Sequence, residues 1–149
     1  ILTMEVKIKL VHTKKERENI LKIRKNVFID EQNIPAEIEI DAFEESANYI
    51  IAYIDEVPVG TARWREVDND IKLERFAVLK NYRKKGIGKQ LTEFIIDKIP
   101  KDKMIFLNSQ KSAIGFYQKV GFETVGPFFE EANKLHQRMI FSRNSAMKP

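Results

Sequence analysis

Leu79-Lys80-Asn81-Tyr82-Arg83-Lys84-Lys85-Gly86-Ile87-Gly88-Lys89 holds five cations and no acid, and it joins a β-rich run to an amphipathic one. Upstream, Ile71 to Leu79 reads as a strand. Downstream, Ile87, Leu91, Phe94, Ile95 and Lys98 recur at helical spacing over Gly86 to Ile99, and Pro100 ends the run because a helix interior does not tolerate it. The stretch therefore lies at a helix N-terminus, where unsatisfied amides and the helix dipole both favour an anion. Gly86 and Gly88 would let a phosphate approach with no Cβ in the way. Two common phosphate loops are excluded. Arg83 stands where a Walker A loop needs its first glycine, Gln90 follows Lys89 in place of Ser or Thr, and Leu91 replaces the third glycine of a dinucleotide fingerprint. The plain alternative is a basic turn whose glycines only permit tight packing.

Outward from this stretch the pattern is mixed. Val6, Ile8 and Leu10 alternate as a half-buried strand does, and Thr13 with Glu16 forms a capping box for a helix that carries Ile20, Ile23, Arg24, Val27 and Phe28 on one face and ends before Pro35. Asn48 to Asp55 and Val59 to Val67 read as a hairpin turned at Glu56-Val57-Pro58, and a break at Asp68-Asn69-Asp70 leads into the third strand of a meander. Met104 to Leu107 is a short strand, and Ser109 to Val120 a helix closed by Gly121. Thr124-Val125 and Leu135 to Phe141 complete the chain as strands. The order is mixed α/β, one domain over 1–149, with 1–3 and 142–149 expected as frayed ends.

The 149 residues suffice for one sizeable core, and the 43% hydrophobic and 32% charged composition is that of a globular chain. There is no cysteine, so disulfides, thiolate metal sites and a cysteine nucleophile are excluded. His12 and His136 make no metal-ligand spacing, and no metal is expected. No apolar run reaches the roughly 18 residues that span a bilayer, and the N-terminus lacks a charged-then-apolar secretory signal, so a cytoplasmic location without membrane contact is the default expectation. A calculated pI of 9.2 raises the question of nucleic acid. No nucleic-acid motif is present and the cations cluster at one turn, so no such partner is expected. A homodimer is one assembly compatible with this reading.

Phe76-Ala77-Val78, followed by Tyr82-Arg83-Lys84-Lys85-Gly86-Ile87-Gly88-Lys89, resembles the pyrophosphate motif of the GNAT superfamily, in which Arg or Gln is followed by x-x-Gly-x-Gly or Ala. Asn108-Ser109-Gln110, Ala113, Phe116-Tyr117 and Gly121-Phe122 resemble its second conserved block. The resemblance implies a central, mostly antiparallel twisted sheet of about six to seven strands flanked by helices, with the fourth and fifth strands splayed. It implies acetyl-CoA as cofactor and an N-acetyltransferase acting on a primary amine of a small molecule or peptide by direct attack on the thioester. It further implies that Phe76, Ala77 and Val78 contact the pantetheine arm and that Arg83 with Lys84 to Lys89 holds the pyrophosphate. Gln110 would then lie near the thiol end, the Val78 amide would hold the oxyanion, and Tyr117 would protonate the leaving thiolate. More loosely, Arg24, Val27-Phe28, Glu31-Gln32, Pro35, Glu37, Glu39 and Asp41 resemble the ElaA-like branch, with Asn48 where that branch usually has His.

A lysine-like amine, with a pKa of about 10.4, is almost wholly protonated at pH 7, so a base or a water path is useful. Ile105 occupies the fifth-strand position where some relatives carry Glu. Strict alternation puts Glu74 on the face of Phe76 and Val78 and makes it the first candidate base, with a plain ion pair or a water route as the alternatives. On the acceptor side Arg24, Phe28, Gln32 and Arg63 are candidate contacts. In an extended segment Glu37, Glu39 and Asp41 would share a face suited to a cationic amine, and Arg63 with Arg65 would suit a carboxylate or phosphate. The two signs conflict, so the acceptor's charge stays open. Two rival readings also stay open: a non-catalytic acyl-CoA sensor and a nucleic-acid-binding protein.

Overall fold

A computed structural model describes residues 5–143. Residues 1–3 and 144–149, expected as frayed, lie outside them. Ser142 and Arg143 are not frayed: the Ser142 amide donates to the Gly121 carbonyl at 3.0 Å, and Arg143 Nη2 donates to the Pro100 carbonyl at 3.2 Å.

Seven strands form one sheet: β1 (Val6–Leu10), β2 (Asn48–Ile54), β3 (Val57–Val67), β4 (Asp70–Val78), β5 (Ile105–Gln110), β6 (Phe122–Glu131) and β7 (Lys134–Phe141), in the order β1-β2-β3-β4-β5-β7-β6. All pairings are antiparallel except β4 with β5. The helices are α1 (Lys14–Arg24), continued by a π-helical segment Lys25–Glu31, α2 (Ala36–Glu39), α3 (Ile87–Lys98) and α4 (Ile114–Lys119).

The sheet is apolar on both faces at its centre. Along β2, Ile50, Ala52 and Ile54 enter the cluster formed with Leu91 and Ile95 of α3, while Tyr49 and Ile51 pack with Ile20 of α1. Helix α1 starts as its sequence dictates, with the Thr13 side chain accepting from the Glu16 amide and the Glu16 carboxylate accepting from the Thr13 amide. Several boundaries move. Val57 and Pro58 belong to β3, because left-handed Asp55 and Glu56 (φ 48° and 66°) make the turn in two residues. Strand β5 runs on to Gln110, since β7 pairs with it as far as His136, so the helix expected from Ser109 shrinks to α4. The segment expected to be extended through Glu37 and Glu39 is the helical turn α2. That turn buries Glu39 and leaves Glu37 exposed, so the two do not share a face.

The decisive irregularity lies in β4. Ala77 pairs with Thr61 and Glu74 with Arg63, so Arg75 and Phe76 together stand opposite the single residue Ala62. Arg75 is left-handed at φ 56°. This bulge inverts the alternation beyond it. Phe76 and Val78 pack with Leu73 on the α3 face, whereas Ala77 joins Ile23, Val27 and Phe28 on the α1 face with Glu74. The expectation that Glu74 shares a face with Phe76 and Val78 is therefore corrected.

Gly121 closes α4 at φ +106°, and a Cβ there would stand 2.8 Å from Phe141 Cε1. Gly121→Ala is expected to cost about 2 kcal/mol or more through the combined backbone and steric penalties, read as a lowered urea midpoint with an unchanged slope.

Candidate active site

Parallel pairing of β4 with β5 covers only Ile71, Lys72 and Leu73 against Ile105, Phe106 and Leu107. Beyond Leu73 the strands part, as expected of a splayed fourth and fifth strand. A cavity of about 610 Å³ occupies the opening, lined by residues from both faces of the sheet. Phe76, Tyr117 and Ala113 belong to its α3 side, and Gln32, Glu39, Asp41 and Gln110 to its α1 side.

On the α3 side Tyr117 is packed edge-on against Phe76, Phe116 and Phe122, with centroids 5.8, 5.0 and 5.8 Å away. Burial pushes its phenol well above the usual tyrosine range, so it remains a proton-bearing group across ordinary pH. The Leu79 amide donates to the Val59 carbonyl of β3, so the preceding Val78 amide turns toward the opening. The Val78 carbonyl is already taken by Arg83 Nε at 2.8 Å.

The basic stretch forms the corner between β4 and α3. Its first helical hydrogen bond runs from the Gln90 amide to the Gly86 carbonyl, so the amides of Ile87, Gly88 and Lys89 precede the ladder. Lys84 (φ 63°) and Gly86 (φ 83°) are both left-handed, which turns the chain sharply enough to present these amides outward. Lys84, Lys85 and Lys89 are exposed and surround them, while the buried Ile87 side chain anchors the helix in the core. The glycines have different grounds from those the sequence suggested. Gly86 is required by its φ, whereas a Cβ on Gly88 would meet Phe116 Cζ at 3.2 Å. Arg83 is not a free cation, since Nη1 and Nη2 bond the Glu31 carboxylate at 2.5 and 2.8 Å. It ties the π-helical segment to this corner.

On the α1 side the expected contacts divide. Phe28 and Gln32 line the cavity, and Gln110 Nε2 donates to Gln32 Oε1 at 3.0 Å, bridging β5 to the end of the π-helix. Gln110 therefore stands on the α1 side rather than beside Tyr117. Arg24 and Arg63 are corrected. They are 1% and 0% exposed and fully engaged, Arg24 with Glu39 and Glu44 and Arg63 with Asp41, Glu44 and Glu74. Every nitrogen of both guanidinium groups has an internal partner. Glu74 also receives Arg65 at 2.9 Å and Lys72 at 3.3 Å. Burial alone would raise the carboxyls of Asp41, Glu44 and Glu74, but the cations outweigh it and hold all three below the usual carboxylate range. A carboxylate so held is a poor proton acceptor, which removes the motive for reading Glu74 as the base. Arg75 completes the network through the Glu39 carbonyl at 3.1 Å and Asp41 Oδ2 at 3.1 Å.

Sequence reasoning missed His136. It sits on β7 directly opposite Gln110, lines the same cavity and is 6% exposed. Its place in a strand, two residues before Arg138 on the same face, was visible. A search for metal spacing alone passed over it.

With this geometry in view the relationships are plain. A family model described as an acetyltransferase (GNAT) domain matches residues 12–143. The chain belongs to that family, whose chemistry is acyl transfer. A Bacillus subtilis protein described as uncharacterized N-acetyltransferase YjcF is 38% identical over 122 residues, covering 79% of this chain and 86% of that one. Among solved structures, Escherichia coli ElaA superposes with a TM-score of 0.82 at 23% identity, covering 93% and 100% of the two chains. PaiA N-acetyltransferase from Thermoplasma acidophilum, in complex with coenzyme A, gives 0.63 at 18% identity over 91% and 98%. At these identities the structural likenesses establish the fold.

Removing one partner from the buried network strands the others. Arg63→Met is expected to cost about 3–5 kcal/mol by denaturant titration at pH 7. The three carboxyls have folded pKa values below their unfolded ones, so their contribution is complete above about pH 5 and is lost as pH falls through and below about 4. The wild type should therefore lose stability between pH 7 and pH 3.5, and Arg63→Met should lose less.

Proposed function

We propose that the protein transfers an acetyl group from acetyl-CoA to a primary amine of a small molecule or peptide by direct attack of the amine on the thioester. The observation that carries this reading is the opening between β4 and β5, which leads to a polar chamber on the α1 face and lies beside the corner, at Arg83, where the basic helix N-terminus begins. The unladdered amides of Ile87, Gly88 and Lys89, with Lys84, Lys85 and Lys89 around them, suit the pyrophosphate. Phe76, Ala77 and Val78 lie where β4 has no β5 partner, and this edge, the Val78 carbonyl apart, is open to the pantetheine arm, which would lie in the opening as a strand does. The Val78 amide then points toward the oxyanion of the tetrahedral intermediate. PaiA's structure with coenzyme A supports an acyl-CoA donor, and the name of YjcF supports nitrogen as the acceptor atom.

Coenzyme A supplies the acyl group as a thioester, and the chain's residues govern the protons. Tyr117, buried at the α3 end and kept protonated by its surroundings, donates to the departing thiolate. The nucleophile approaches from the α1 side past Phe28, Gln32 and Gln110.

Thiol release from acetyl-CoA is the test, set against a panel of amines, peptides and amino sugars and repeated with longer acyl chains. Amine-dependent release with acetyl preferred supports the proposal. Tight coenzyme A binding without release across the panel would point to a sensor. Tyr117→Phe is expected to lower kcat about 100-fold while the acetyl-CoA Kd changes less than about threefold, since general acids contribute roughly 10²–10⁴. An unchanged kcat removes Tyr117 from the mechanism.

A further inference from the structure

The α1 side of the cavity needs a proton acceptor, and each acid of β4 and α2 that lines it is engaged by an arginine. His136 stands apart from that network. Its Nδ1 lies 2.9 Å from the Lys134 carbonyl, and a carbonyl can only accept, so Nδ1 carries the hydrogen. In the neutral ring Nε2 therefore holds the lone pair. Glu131 Oε2 is 3.7 Å from Nε2, too far for a hydrogen bond and within ion-pair distance of a protonated ring. Phe129 stacks on the imidazole with centroids 6.0 Å apart and fixes its plane.

We infer that His136 Nε2 is the base that deprotonates the acceptor amine, with the Lys134 carbonyl setting its tautomer and Glu131 stabilising the imidazolium. This rests on the acyl-transfer reading above. Register supports the placement: His136 faces Gln110, and Gln110 bonds Gln32 on the α1 side, opposite the sheet face that holds Tyr117. Base and acid thus stand at the two ends of one opening, one toward the amine and one toward the sulfur.

The step balances as follows. Nε2 takes one proton from the ammonium and returns it to solvent at the cavity mouth. The neutral nitrogen bonds to the thioester carbon. On collapse the C–S bond breaks, the thiolate takes the Tyr117 proton, and the second nitrogen proton restores the phenol. No oxidant or further reactant is required.

The charged groups around the ring come from several elements. Glu131 of β6 is the nearest. On β7, Lys134 contributes its carbonyl, and Arg138, two residues along, lies with its guanidinium 4.0 Å over the Phe106 ring. Lys111, after β5, lies 5.7 Å over Phe128. Across the cavity stand Glu39 and Asp41 with Lys72, Glu74 and Arg75, held in their own ion pairs.

The test uses His136→Asn, which keeps a short donor toward the Lys134 carbonyl and removes the basic nitrogen. With a lysine-like amine, wild-type kcat/KM should exceed that of the variant across the neutral range. In the variant it should fall about 100-fold at pH 7 and climb tenfold per pH unit toward the amine's own pKa of about 10.4, because only the free amine then reacts. The acetyl-CoA Kd should change less than about threefold. Should His136→Asn fold poorly, His136→Gln serves, since it also lacks a basic nitrogen, and the same loss at pH 7 is expected. An unchanged profile in either folded variant overturns the inference and leaves the acyl-transfer reading intact. A wild type with no amine-dependent thiol release overturns both.

Discussion

The backbone at Arg75 is the constraint from which the site follows. Two residues of β4 oppose one of β3 there, and this has three consequences: Phe76 and Val78 turn to the α3 face, β4 leaves β5 after Leu73, and the Arg75 guanidinium swings over α2 to hold the Glu39 carbonyl and Asp41. A left-handed non-glycine residue costs about 1–2 kcal/mol. The bonds of its side chain offset that cost, and its neighbours prevent a register slip that would erase the bulge. Glu74 is pinned by Arg63, Arg65 and Lys72 on the α1 face, and a shift of one residue would drive its carboxylate into the cluster around Leu91.

The buried charges explain why the acceptor side resisted reading from sequence. Arg63 looks like a substrate contact because arginine forks suit carboxylates and phosphates, and Arg24 because of its place in the ElaA-like pattern. Here the carboxylates are internal. They come from Glu39 and Asp41 in and just after α2, from Glu44 beyond it and from Glu74 on β4, so the network clamps a connection with little apolar burial of its own to the sheet. Ile38, Ile40 and Phe43 in this connection are all substantially exposed, and Phe43 is covered by the Arg65 guanidinium at 3.7 Å. Charge pairing here does the positioning that a hydrophobic face does elsewhere, although such pairs add little net stability over an apolar replacement.

What was legible follows from periodicity. The capping box at Thr13, the two-faced apolar run of β2 and the stripe of α3 ending at Pro100 are local patterns, and the elements appear where those patterns put them. The illegible parts are local departures decided by distant partners. Nothing in Glu74-Arg75-Phe76 announces a bulge, since Arg75 is neither glycine nor asparagine, and the face assigned to every β4 residue past it was inverted in consequence. The π-helical turn that brings Gln32 to the cavity and the extension of β5 to Gln110 also depend on tertiary pairing, with Arg83 and with β7. His136 could be interpreted only once β7 was known to lie beside β5.

One consequence of a splayed sheet is that it separates two proton environments that a single pocket would merge. An acid for a thiolate should stay protonated, which apolar enclosure favours; Tyr117 has three aromatic neighbours and no charged group among the causes of its raised pKa. A base for an ammonium should tolerate positive charge, which calls for carboxylates nearby and a route to water. The α1 side has both, in Glu131 and in the open polar wall beside it. On the proposed reading, a thioester in the gap would let one strand edge serve both sides, with the acid and the base at opposite ends of the opening. The bulge that turns Phe76 toward Tyr117 while leaving Glu74 among the arginines makes that separation possible in nine residues of β4.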